Sequence, residues 1–230
     1  MKKIKILLLG LMTFCSLQNF TYAGLVDEIQ VYDGEINKPG EFGLELHLNT
    51  SLSGKSSQNF DRERVTDRGT RITPELSYGL TETLELGFYI PTIYTPEYGY
   101  ELAGYKPRIK WIPIQAQENQ PWSAGVNVEY AKLKTGMSES AKSSEIRFIL
   151  GYEGKRWRLA MNPILEKNFS PRTDSTPELE MNFRAILKQD GFIKGVGLEY
   201  YQSLGPYNNF SPANEQNKQR LLETVESHFL

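Results

Sequence analysis

Side chains that alternate apolar and polar with a period of two constrain this chain more than any other feature, because such a pattern fits a β-strand with two unlike faces. Over residues 41–52, Phe42, Leu44, Leu46 and Leu48 alternate with Glu41, Gly43, Glu45, His47 and Asn49. The grammar returns over 72–80, where Ile72, Leu76, Tyr78 and Leu80 oppose Thr73, Glu75 and Ser77, and over 84–90, where Leu84, Leu86, Phe88 and Ile90 oppose Glu85, Gly87 and Tyr89. Tyr105, Ile109 and Trp111 alternate with Lys106, Arg108 and Lys110; Val126, Val128 and Tyr130 with Gly125, Asn127 and Glu129. Further strands follow on Ile146, Phe148, Leu150 and Tyr152 against Glu145, Arg147 and Gly151, and on Trp157, Leu159, Met161 and Leu165 against Arg158, Asn162 and Glu166. Leu179, Met181, Phe183 and Leu187 oppose Glu178, Glu180, Asn182 and Arg184; Val196, Leu198 and Tyr200 oppose Gly197, Glu199 and Tyr201. A weaker tenth strand is expected over 221–229.

The links between strands alternate in length. Long polar links are expected over 53–71, 91–104, 132–143, 167–176 and 203–218, and tight ones over 81–83, 153–156 and 188–191, with 115–121 intermediate. Outer-membrane barrels alternate in this way between long outer loops and short periplasmic turns, which would put both termini on the periplasmic side. Tyr78, Tyr89, Tyr105, Trp111, Trp122, Tyr130, Tyr152, Trp157, Tyr200 and Tyr201 fall mostly near strand ends, as interfacial girdles require, although strands favour aromatic residues anyway. Pro74, Pro107 and Pro163 read as strand-end or bulge positions, since proline removes a ladder donor.

Residues 1–23 carry the three zones of a signal peptide: Lys2, Lys3 and Lys5, an apolar run from 6 to 14, and a small-residue site ending at Ala23. The run is shorter than the roughly 20 residues of a spanning helix, so cleavage after Ala23 and export are expected. Cys15 is the chain's one cysteine, so residues 24–230, read as a single β domain, would have no disulfide and no thiolate. They retain 23 of the 26 basic residues and all 28 acidic ones, a balance that argues against nucleic acid as a partner. No later stretch could span a membrane as a helix, so membrane entry would use strands.

The stretches EIQVYDGEINKPGEFGLELHLN, from Glu28, and TPELSYGLTETLELGFYIP, from Thr73, resemble a family of bacterial outer-membrane proteins. These are uncharacterised, transporter-like barrels related to the group named for the meta-pathway of phenol degradation. GYKPRIKWIPI, from Gly104, and RWRLAMNPILEKN, from Arg156, fit the same resemblance. It implies an outer-membrane barrel that passes or binds small molecules, and brings no catalytic or cofactor residues. Such a barrel would end on an aromatic residue, whereas Phe229 is penultimate. The expected fold is therefore an all-β, antiparallel, up-and-down transmembrane barrel of about ten strands, or one truncated from twelve.

In that barrel Glu45, His47, Glu75, Glu85, Lys106, Arg108, Lys110, Glu129, Glu145, Arg147, Arg158, Glu166, Glu180, Arg184 and Glu199 would line the lumen. They form either a charged eyelet that selects solutes or a paired network that fills a narrow interior. A passive channel or binding protein for small solutes is the expected function, with outer-membrane lipids and the barrel assembly machinery as partners. The rivals are a soluble periplasmic sandwich or barrel that binds through its loops, and a lipid-acting barrel enzyme using His47 with Ser51 and Glu45. No metal or cofactor is expected, because His47 and His228 are far apart and no ligand spacing is recognisable. The mixed-charge run 61–68 reads as a solvated loop, or alternatively as a lipopolysaccharide contact through Arg62, Arg64 and Arg68.

Overall fold

Each alternating stretch becomes a strand. The computed structural model describes residues 30–50, 58, 63–65, 68–138, 140–169, 176–190, 193–212 and 218–226. The expected leader at 1–23, together with Ser51, Arg62, His228 and Phe229, lies outside them. The strands are β1 (Phe42–Thr50), β2 (Thr70–Gly79), β3 (Leu84–Tyr89), β4 (Thr92–Thr95), β5 (Gly99–Leu102), β6 (Gly104–Ile114), β7 (Trp122–Leu133), β8 (Lys142–Glu153), β9 (Trp157–Asn168), β10 (Glu178–Lys188), β11 (Ile193–Pro206) and β12 (Lys218–Glu226). There is no helix among the described residues. All twelve strands belong to one antiparallel sheet of neighbouring hairpins.

The twelve strands make ten continuous runs. The first half of β2 pairs with β4 and its second half with β3, so β3 and β4 are one run bent at Ile90 and Pro91. β5 and β6 likewise form one run interrupted at Ala103, whose N–H donates to the Pro91 carbonyl at 2.8 Å. This corrects the reading of 91–104 as a long loop: it is a hairpin, β4–β5, turning at 96–98. The other long links hold their places at one end of the sheet, and the links 80–83, 115–121, 154–156 and 189–192 lie at the other, where β1 begins and β12 ends.

The prolines are not at strand ends. Pro74, Pro107 and Pro163 sit inside β2, β6 and β9, paired with Leu46, Phe88 and Met181. Toward β7 the pairing steps from Tyr105–Lys132 to Arg108–Glu129 across Pro107, and toward β8 from Arg147–Ile164 to Leu150–Met161 across Pro163. The register is the same on both sides of each step, so each proline costs local ladder bonds without a bulge.

The apolar face of the sheet is the exposed one and the polar face the buried one. Leu44, Leu46, Leu48, Ile109 and Phe148 are 47–69% exposed, whereas Glu75, Glu85, Arg108 and Asn127 on the other face are 1–5% exposed. Two predicted girdle residues belong to the polar face: Tyr89 is fully buried, and the Tyr201 hydroxyl donates to Glu199. The buried face also carries Ile112, Ile149, Ile164 and Ile186. The sheet bends around residues 30–38, which touch strands from β1 to β10. β1 pairs with β2 and β12 with β11, and among the described residues no pairing joins β1 to β12.

Candidate functional site: a charged face occupied by residues 30–38

The strand register decides which charges meet. In the β3–β6 ladder, Glu85 stands opposite Lys110, Gly87 opposite Arg108 and Tyr89 opposite Lys106. Gly87 makes room for Arg108, because a Cβ there would overlap its guanidinium. Arg108 donates to the Glu75 carboxylate from β2 through Nε at 2.7 Å and through Nη2, and Nη2 lies 2.9 Å from Glu85. Lys110 is 3.0 Å from the same Glu85 oxygen, and Lys106 is 2.8 Å from Glu129. The predicted basic ladder is thus neutralised by carboxylates on β2, β3 and β7. Buried charges persist only when paired and hydrogen-bonded in this way.

Of the remaining predicted residues, Arg147 bonds Glu145 at 2.8 Å, Arg184 reaches Glu199 at 3.4 Å, and Arg158 donates to Glu153 at 2.7 Å. Glu145 stands opposite Glu166 and Glu166 opposite Glu178, with Glu180 two residues on, so one wall carries a band of acids. Glu45, on the edge strand β1, is exposed. His47 is 3.1 Å from Glu75, with Glu45 in the same group, while Ser51, the other residue expected from spacing, lies outside the described residues. Of the expected lipopolysaccharide contacts, Arg64 is held by Glu101 at 3.1 Å.

Residues 30–38 complete the site, and the alternation did not reveal them. The Tyr32 N–H donates to Asn162 Oδ1 at 2.7 Å, and Asn162 Nδ2 donates back to the Tyr32 carbonyl at 2.9 Å. The Tyr32 ring lies under the Arg147 guanidinium at 4.6 Å, and its hydroxyl meets that of Tyr89 at 2.5 Å. Arg147 Nη1 donates to the Gln30 carbonyl at 2.7 Å, and Ser123 donates to the Asp33 carbonyl at 3.0 Å. The Asp33 carboxylate is 3.2 Å from Arg184 and 3.4 Å from Arg158. Asn37 donates its N–H to Glu85 and its Nδ2 to Ser77, both at 2.8 Å. Gly34, at φ +91°, lets the chain turn past Ser123. Ile36 packs with Tyr32, Ile112 and Ile149, which explains the inward isoleucines: they receive the apolar side of the segment.

At the end of the long links, Met137 packs on Ile93 and Ala103, and its carbonyl accepts from Arg71 at 3.4 Å. Thr73 Oγ, Asn127 Oδ1 and Asn182 Oδ1 are buried with no hydrogen-bond partner among the described residues. Chemically, this is a hydrogen-bonding and ion-pairing surface around a non-strand segment of its own chain. No protein-family model, curated protein or solved structure matches the chain.

Proposed function

We propose that the chain is an outer-membrane β-barrel of the transporter-like kind that the stretches from Glu28 and Thr73 resemble, with a lumen closed at rest by residues 30–38. The observation that carries this reading is the facing of the strands, leucine and phenylalanine outward and charge inward. Lipid accepts the first and a polar lumen the second. In a soluble sandwich the apolar face would be the core and the charged face would meet water. The exposed aromatics support the same reading. Phe42, Trp111, Trp122 and Trp157 lie toward the short links, and Tyr94, Tyr100, Tyr105 and Tyr130 toward the long ones, as two interfacial belts require. The ten runs give an even strand number, and pairing of β1 with β12 would close the ring. The lipid-acting enzyme reading needs a serine and a carboxylate within reach of His47; Glu75 supplies the carboxylate at 3.1 Å, and Ser51 lies outside the described residues.

The barrel acts as a gated passive channel or binding protein. With residues 30–38 in place, Asn162, Arg158 and Arg184 are occupied by Tyr32 and Asp33. Displacement of the segment exposes these groups to a solute, which is then filtered by size and sign without chemistry. Planar-bilayer recordings of the full chain and of a form lacking residues 30–38 test the gate. The intact protein is expected to conduct little and the shortened form to conduct steadily. Equal conductance of two folded forms would remove the segment from the account.

A further inference from the structure

The inner face carries one constellation that the solute path does not use. Glu45 and His47 on β1 and Glu75 on β2 bring a carboxylate oxygen each and an imidazole nitrogen within 4.8 Å of one another. We infer that these three side chains form a binding site for a divalent transition metal of the zinc type.

The donor set is the first argument. One imidazole and two carboxylates suit zinc and its neighbours and leave a fourth position open. Geometry is the second. Two ligands bound at 2.0–2.1 Å to a tetrahedral ion stand about 3.3 Å apart. His47 Nε2 and Glu75 Oε2 are already 3.1 Å apart, so an ion would replace the proton they share and only Glu45 would have to move inward. Glu45 is free to do so, since it is exposed on the edge strand and its contact, from Gln30 Nε2, is long at 3.3 Å.

The surroundings are the third argument. Arg108 bonds Glu75 through Oε1, which leaves Oε2 directed at His47. A ligating carboxylate is commonly oriented by such an outer hydrogen bond. Directly across from His47 in the ladder stands Thr73, 0% exposed and on the same face as Glu75, with an Oγ that has no partner among the described residues. That oxygen can hydrogen-bond a water or solute held at the open position. Glu45 and His47 stand two residues apart on β1, but Glu75 comes from β2, 28 residues on from His47, so local spacing could not announce the full set.

Titration of the folded protein in detergent with Zn2+ by isothermal calorimetry tests the site, and does so whether or not the barrel gates solutes. One saturable site is expected, with affinity falling as pH drops and protons compete for His47. His47→Ala and, separately, Glu45→Gln should each weaken binding at least tenfold, while His228→Ala leaves it unchanged. Glu45→Gln lies on the exposed edge and serves as the decisive variant if His47→Ala does not fold. Absence of saturable binding, or binding that survives Glu45→Gln undiminished, would overturn the assignment.

Discussion

Asn162 holds the Tyr32 backbone at two points, accepting its N–H and donating to its carbonyl, as a neighbouring strand would. One side chain on β9 thereby satisfies both polar groups of a residue threaded along the inner face. Neither group could stay unpaired there, because a buried orphan costs about 1–3 kcal/mol.

Replacing Asn162 by alanine removes both bonds and should loosen residues 30–38 by about 1–3 kcal/mol. Limited proteolysis of the detergent-solubilised protein checks this. Cleavage near Gln30–Lys38 should be faster in Asn162→Ala than in the parent, with the strands intact in both.

Arg108 is the hub of the inner charge network, with Glu75 and Glu85 both on its guanidinium. Arg108→Met leaves two buried carboxylates short of a counter-ion and should destabilise the fold by about 3–5 kcal/mol. Urea unfolding followed by gel migration would report it as a lower midpoint. Lys142→Met, at an exposed strand end, should leave the midpoint unchanged.

Nine of the ten strand runs were legible because each carries several period-two steps: β8 reads Ile146, Phe148, Leu150 outward and Glu145, Arg147 inward over its whole length; the weaker tenth, expected over 221–229, lies at Lys218–Glu226, where alternation is poor. The β4–β5 hairpin was not, since four-residue strands around Pro96 hold too few steps to show a period. Facing was also hidden, because alternation is identical whether the apolar side meets lipid or a core. The charged residues of the inner face were found by alternation, but their partners were not. Glu75 with Arg108, or Tyr32 with Asn162, are tertiary encounters that no local pattern encodes. Residues 30–38 left no periodic signal; Tyr32 and Ile36 become apolar anchors only once Ile112 and Ile149 turn inward to receive them.

Phe148 lies in the middle of β8 and is 47% exposed on the apolar face. If that face meets lipid, Phe148→Arg should cost about 2–4 kcal/mol at the bilayer midplane and reduce assembly sharply. The check is the yield of folded protein after refolding into lipid vesicles. Normal yield would contradict the facing.

A lipid-facing apolar surface is the premise of the proposed function. Separating cell envelopes and following the protein by gel, with and without boiling, tests it most directly. Recovery in the outer membrane is expected, with the unboiled protein migrating faster as a folded barrel. Recovery as a soluble periplasmic protein with no heat-dependent shift would contradict it.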